Sequence, residues 1–243
     1  MGTYSSVTRV GAYEPFELQV SRGQISGHEQ VNIFGSASAV STSFVAVWEN
    51  NAAYVFPAVD STMLVTSSSA SDTAVTIVIS GLDSNNIRIT ETVALNGTTA
   101  VATTKVFHRI NSVVTTVGNA VGTIYVKNAG GTTYAQIAIG NGRTNMSIYS
   151  VPAGYTLYVL QTDAWSSTSV TSGVYATYRN SYVDPAGVAN VIATVPFLND
   201  MTIKRTIPLA YPALSDIQFQ CKSSGAGLGI GILVEGILIK NPD

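Results

Sequence analysis

The sequence has one cysteine, two histidines and few charged residues. Because Cys221 is the only cysteine among 243 residues, no intrachain disulfide can form. Charged residues make up 11% of the chain, against about 25% in typical soluble proteins. A surface so poor in charge is weakly protected against association with neighbouring chains. The small number of charged residues favours a protein whose surface is largely covered by neighbouring chains in an assembly. The alternative is a monomeric β-sandwich of low charge.

The charges that are present are balanced and scattered. Twelve Lys and Arg residues stand against 14 Asp and Glu residues, which gives a net charge of −2. Nucleic-acid binding requires clustered basic side chains that neutralise phosphates. The only adjacent basic pair in the chain is Lys204-Arg205. We therefore expect no nucleic-acid partner.

Long apolar runs and a leader-like N-terminus are also lacking. The longest apolar run, IGILVEGILI at 230–239, contains Glu235, and it is shorter than the roughly 20 residues of a membrane helix. MGTYSSVTRV at 1–10 lacks the basic segment and apolar core of a signal peptide. We expect no membrane partner, and folding in a reducing compartment or indifference to redox conditions.

The residues that metal binding or catalysis requires do not cluster in the sequence. A metal site needs three or more converging His, Cys, Asp or Glu ligands, whereas His28 and His108 lie in unrelated contexts. No G-x-S-x-G nucleophile elbow is present. Cys221 alternates with Ile217 and Phe219, which predicts a buried structural thiol. We predict a non-enzymatic protein without cofactors.

Two groups of residues keep other interpretations open. Asp72, and Asp83 with its neighbouring asparagines, carry the oxygen ligands that calcium prefers, although such residues also form ordinary turns. Aromatic side chains in the second half of the chain are able to stack on sugars, although core packing is the competing explanation. The aromatic residues concerned are Tyr155, Tyr158, Trp165, Tyr175, Tyr178 and Tyr182.

Patterns typical of β-strands run through most of the chain. From about residue 36, strand-length runs rich in Val, Ile, Thr and aromatic residues are bounded by Gly, Asn, Asp or Ser. Turn signals recur every 8–12 residues or so, as in β-sandwiches and jelly rolls. The sequence predicts an all-β fold of two successive antiparallel β-sandwich or jelly-roll domains.

One stretch, GLDSNNIRITETVALNGTT at 81–99, shows this pattern in detail. Its apolar residues on one strand face are Ile87, Ile89, Val93 and Leu95. Glu91 interrupts that face, as at a rim or a bulge. Residues 83–86 predict a loose turn, and Asn96-Gly97 predicts the tight turn of a β-hairpin.

The domain boundaries are placed where the pattern changes. KNAGGT at 127–132 puts two glycines after a strand, which predicts domains at 36–128 and 132–243. Residues 1–35 show no strong periodicity, and we interpret them as an extended N-terminal arm or a first edge strand. The candidate partner contacts in this arm are Tyr4, Val7, Val10, Tyr13, Pro15, Phe16, Leu18 and Val20.

An ordered series of short segments resembles the structural proteins of tailed-bacteriophage particles. In the first half these segments are SRGQISGHEQVNIFG (21–35), WENNAAYVFP (48–57), LVTSSSASDTA (64–74), ISGLDSNN (79–86), ETVALNGTTAV (91–101) and FHRINSV (107–113). In the second half they are AIGNGRTNMSIYSVPAGYTLYV (138–159), LSDIQFQCKSS (214–224) and VEGILI (234–239). The resemblance covers most of the chain.

This resemblance implies a virion component of two β domains without catalytic activity. We expect a capsid cement or decoration protein, a homotrimer that stabilises the phage head by binding the major capsid protein or other virion proteins. Assembly in the bacterial cytoplasm accords with the lack of a signal peptide and of disulfides. The alternative is a tail or fibre component that binds a host surface glycan. No functional residue carries over, because the shared segments are turns and core strands.

Overall fold

The computed structural model describes residues 14–166, 173–225 and 227–242. In these ranges the chain forms one helix, α1 (Phe16–Ser21), and 16 strands. The first eight strands are β1 (His28–Val40), β2 (Val45–Ala46), β3 (Ser61–Ser67), β4 (Thr76–Leu82), β5 (Arg88–Ala94), β6 (Val101–Phe107), β7 (Arg109–Val117) and β8 (Ile124–Lys127). The other eight are β9 (Thr133–Ile137), β10 (Ile148–Ser150), β11 (Tyr155–Ser166), β12 (Ala176–Val183), β13 (Ala189–Phe197), β14 (Asp200–Tyr211), β15 (Asp216–Ser223) and β16 (Leu228–Lys240).

The strands pair into four antiparallel sheets, which confirms the all-β prediction. Sheet I has the order β1-β16-β11-β14, and sheet II has the order β10-β15-β12-β13 with β2 added on β15. Sheet III has the order β6-β3-β8-β9, and sheet IV has the order β5-β4-β7. Within the described ranges, no helix is long and apolar enough to cross a membrane.

Sheets I and II enclose one hydrophobic cluster, the terminal core, which strands from both ends of the chain build. Alternate residues of β16, namely Ile230, Ile232 and Val234, are buried in it. β1 contributes Ile33 and Ala37 to the same cluster, because it pairs with β16 over most of its length. Fully burying one such aliphatic side chain contributes roughly 1.5–3 kcal/mol to the stability of the fold. A slip of one residue would turn the whole row toward solvent, so this row fixes the register of the sheet.

Sheets III and IV enclose a second cluster, the inserted core, built mainly from residues 61–137. Its largest aliphatic residues alternate along the strands, as Ile77 and Ile79 do in β4. The chain enters this part after β2 of the terminal core and returns to the terminal core at β10. The inserted core is therefore an excursion from the terminal core rather than a domain that precedes it.

Within residues 14–35, the described part of the predicted N-terminal arm, the structure differs from an extended arm. Residues 16–21 are helical, and the strand β1 begins at His28. The other interpretation, a first edge strand, is right for 28–35, since β1 is one of the two outermost strands of sheet I. The pattern of this strand was weak because its inward positions include Gly35 and Ala37, which carry little or no side chain.

The predicted boundary at 128–132 lies inside a hairpin. β8 and β9 pair directly across it, and the Asn128 side-chain oxygen accepts a hydrogen bond from the Thr132 backbone N–H at 2.9 Å. Gly131 has a φ of +86°, a conformation that glycine adopts without the steric cost a side chain would bring. The two glycines thus make a turn and not a linker.

The stretch 81–99 forms two turns of different kinds. Residues 83–86 close the β4–β5 hairpin, where the Asp83 side chain accepts the backbone N–H of Asn85 and of Ile87, each at 2.9 Å. Gly97 has the expected positive φ of +59°. However, β5 belongs to sheet IV and β6 to sheet III, so the turn at Gly97 joins two sheets and the hairpin prediction is wrong there.

Candidate interaction surfaces

The N-terminal contact candidates divide into three groups. Tyr4, Val7, Val10 and Tyr13 lie outside the described residues. Pro15, Phe16 and Leu18 are exposed, the last two with 46% of their surface accessible. Val20 is buried and serves as the anchor of α1. The helix therefore presents apolar side chains outward at the start of the described chain.

Local hydrogen bonds stabilise α1, and a ring contact joins it to the rest of the fold. The Gln19 side-chain amide donates to the backbone oxygen of Glu14 at 2.7 Å, and the Glu14 carboxylate pairs with Arg22. The Phe16 ring packs edge-on against the His28 ring, with 5.9 Å between centroids. Since His28 opens β1, this contact fixes the side of sheet I on which α1 lies.

A cleft of about 410 Å³ lies between α1 and sheet I. Its apolar lining comes from Leu18, Leu160 and Ile237. Glu17 and Glu235 supply acidic side chains on the same lining. Leu160 faces this cleft at a bulge, where β11 carries one residue more than β16 between two neighbouring pairs of the register. The cleft extends the apolar surface of Phe16 and Leu18 inward.

A largely buried ion pair joins the two cores. The Arg109 guanidinium in β7 donates to both carboxylate oxygens of Asp216 in β15, at 2.7–3.0 Å. The same side chain donates to the backbone oxygen of Pro57 at 2.9 Å, and Ser150 donates to Asp216 at 2.5 Å. The Arg109 and Asp216 side chains are only 14% and 15% exposed. The pair therefore fixes how the inserted core sits on the terminal core.

The histidines and the cysteine lie apart and have structural partners. The His28 ring contacts the backbone oxygen of Ser26 at 3.0 Å, and the His108 ring contacts Asp60 at 2.6 Å. Cys221 is buried as predicted, and burial raises the pKa of its thiol far above the usual range. Within the described ranges, no three His, Cys, Asp or Glu side chains come together as a metal site.

Asp72, a candidate calcium ligand, has its oxygens occupied by donors from the protein. The buried carboxylate accepts the Ser67 hydroxyl at 2.5 Å and the backbone N–H groups of Val121 and Gly122 at 2.9 and 3.0 Å. Burial alone would raise the pKa of Asp72, but these three hydrogen bonds outweigh it and lower the pKa below its usual value. The carboxylate thus holds the loop before β8 in place through the backbone of Val121 and Gly122, which is a structural role.

This hydrogen bonding gives a pH-dependent prediction for Asp72→Asn. Because the folded-state pKa of Asp72 is lowered, its carboxylate adds stability above the unfolded pKa of about 3.9, and that stability is lost as the pH falls through the folded pKa. Urea unfolding is expected to show the variant less stable at neutral pH, with the difference narrowing below about pH 4. A difference that stays constant down to acidic pH would contradict this role.

The candidate sugar-binding aromatics do not form one common surface. Tyr178 is buried, Tyr182 packs edge-on against Tyr211 with 5.2 Å between centroids, and Tyr155 lies under the Arg88 guanidinium at 4.4 Å. Trp165 is different, because its ring lies directly over Gly231 and leaves no room for a Cβ atom there.

Phe34 in β1 stacks on Trp165, with 6.0 Å between ring centroids and 28° between ring planes. Both rings are partly exposed. This pair is an aromatic platform on the outer face of sheet I. Trp165 was a candidate from the sequence and Phe34 was not, since the two residues are more than 100 positions apart and meet only through the pairing of their strands with β16.

No protein-family model matches the chain, and no curated protein matches it.

Proposed function

We propose that this chain is a non-enzymatic structural component of a tailed-bacteriophage particle, most specifically a cement or decoration protein of the head. The observation that carries the proposal is the exposed apolar pair Phe16 and Leu18, which directly follows the apolar candidates of residues 1–13. The low charge of the chain and the ordered phage-like segments support it. The partners are the major capsid protein or other virion proteins and further copies of the chain, as homotrimers.

The mechanism rests on how α1 is held. Val20 is fixed in the interior, while Phe16 and Leu18 on the same short helix each keep 46% of their surface exposed. About half of each side chain is still exposed, and covering the remainder contributes roughly 1 kcal/mol per residue. Each contact is weak on its own. Repetition over a symmetric head lattice turns such contacts into a stable shell.

Deleting residues 1–13 tests the arm without removing the buried anchor Val20. We expect the truncated protein to fold, and to be incorporated into particles far less than the full chain. Phe16→Ser combined with Leu18→Ser is expected to weaken incorporation as well. Quantitative gels of purified particles and the temperature at which heads release DNA are the measurements.

Val59→Ser is the matched control for the arm variants, since Val59 is an exposed valine in the loop before β3. It is expected to leave incorporation unchanged. Normal incorporation and head stability after deletion of residues 1–13 would rule out the arm mechanism. Equal loss in the Val59→Ser control would show that the assay reports general surface changes.

A second candidate function is a tail or fibre role in which the protein binds a host surface glycan. The platform of Phe34 and Trp165 favours it, because partly exposed aromatic faces pack against sugar rings. Binding on a glycan array that Trp165→Ala abolishes would support this role over the cement role. Absence of glycan binding leaves the cement role as the better account.

A further inference from the structure

The terminal core has an open side at β13 and β14. β13 is the last strand of sheet II and β14 is the last strand of sheet I. Only Leu198 and Asn199 lie between these two strands, so both free edges face the same side of the molecule. At the opposite ends of the sheets, β1 and β10 lie beside the inserted part; Ile33 of β1 is buried in the terminal core and Ile148 of β10 in the inserted core.

Almost nothing on this open side is buried in the single chain. Among the 27 residues 184–210, Phe197 is the only buried one. Val191 is 59% exposed, and Ile207 is 84% exposed at a bulge where β14 shifts its register against β11. The inward-facing apolar residues are also only partly buried, and they are Val195, Met201, Ile203 and Leu209.

The usual protection of a free strand edge is sparse on β13, whereas β14 carries Lys204, Arg205 and Pro208. Natural proteins place charged side chains, above all lysine, on exposed edges to prevent strand addition. Residues 185–199, which include all of β13, carry no charged side chain. Pro196 restricts pairing near the end of β13, which leaves residues 189–195 with a free backbone edge.

We propose that the β13–β14 edge, residues 184–210, is the surface through which one copy of this chain binds a second copy. The two acidic residues of this edge, Asp184 and Asp200, balance its two basic residues, Lys204 and Arg205, so two copies meet without net charge repulsion. Each copy supplies both free backbone groups and apolar side chains to the other. The 27 residues match the 20–30 or so residues that one side of a standard interface contains. The inference deepens the self-assembly part of the proposed function by naming its surface.

Sedimentation velocity over a dilution series tests this interface. The wild-type chain is expected at twice its 25.4 kDa mass or more, and Val191→Lys combined with Ile207→Lys is expected at 25.4 kDa. Val59→Lys combined with Val121→Lys is the matched control, since these valines are 70% and 62% exposed on loops of the inserted part. The control is expected to keep the wild-type mass.

Three results would overturn the inference: a wild-type chain that is monomeric throughout, an edge variant that keeps the oligomer, or a control that dissociates equally. If the edge variant does not fold, hydrogen exchange of the wild type decides. Amides of residues 189–195 are expected to lose protection on dilution, and concentration-independent exchange there would overturn the proposal. An oligomer that fails to bind phage heads would contradict the cement role and leave this interface intact.

Discussion

Arg109→Met is expected to lower the free energy of unfolding by about 3 kcal/mol, toward the low end for breaking a buried ion pair. The low end applies because the pair is not fully buried: the Arg109 and Asp216 side chains are 14% and 15% exposed to solvent. Without the guanidinium, the Asp216 carboxylate retains Ser150 as a donor but loses its countercharge. Guanidinium chloride denaturation, followed by circular dichroism, measures the change in midpoint and slope.

Arg22→Met is the control for this effect. The Arg22 side chain is 51% exposed in its pair with Glu14, and exposed pairs contribute only about 0–1 kcal/mol. Adding Asp216→Leu to Arg109→Met is expected to recover part of the lost stability, because the uncompensated charge is then removed. Equal losses in Arg109→Met and Arg22→Met would contradict the role of Arg109 in joining the two cores.

Gly35→Ala is expected to lower the free energy of unfolding by about 3 kcal/mol, toward the upper end for overpacking an interior site. A Cβ atom on Gly35 would lie 2.3 Å from the Val47 backbone oxygen and 2.6 Å from the Ser147 Cβ. Neither contact is with the flexible end of a side chain, so β1 must move away from both. That movement disturbs the reciprocal hydrogen bonds of Val47 and Ser147, in which each backbone N–H has its partner at 2.8–2.9 Å.

Gly142→Ala provides the matched comparison for Gly35→Ala. A Cβ atom on Gly142 meets nothing within 4 Å, and this glycine does not have a positive φ. Its change in unfolding free energy is expected to stay within about 0.5 kcal/mol. Thermal and denaturant unfolding of both variants checks the pair. A tolerated alanine at position 35 would contradict the close packing of β1 between Val47 and Ser147.

Local features of this fold were predictable because they depend on residues that are close together in the sequence. Asp83 and Asn86 predict the β4–β5 turn, since their side chains and backbone preferences suit tight reversal of the chain. The alternation around Cys221 predicts a buried thiol, which is what the structure has. In each case the signal and the structure lie within a few positions of one another.

Strand partners were not predictable, because a period of two reveals which face is buried but not which strand lies alongside. β1 pairs with β16 about 200 positions later, and Arg109 meets Asp216 across 107 positions. The run NVIATVPF predicts the strand β13 correctly. Pro196 is the one feature of that run that suggests an edge strand. Which edge remains free depends on the order of all strands in the sheet.

The candidate surfaces also divide into one that depends on neighbouring residues and two that depend on the packing of distant strands. Phe16 and Leu18 were proposed from the sequence because they are apolar residues in an aperiodic segment, and the structure leaves both partly exposed. Their contact with a partner stays a prediction. The platform of Phe34 and Trp165 and the β13–β14 edge were missed, since both arise from the packing of distant strands.

A cryo-EM map of intact particles that contain this chain tests the central claim most directly. The cement role predicts density for the chain over the head lattice, at three-fold or quasi-three-fold positions, with residues 1–20 reaching a neighbouring subunit. Density confined to the tail or its fibres would contradict that role, and would direct attention to glycan binding at Phe34 and Trp165.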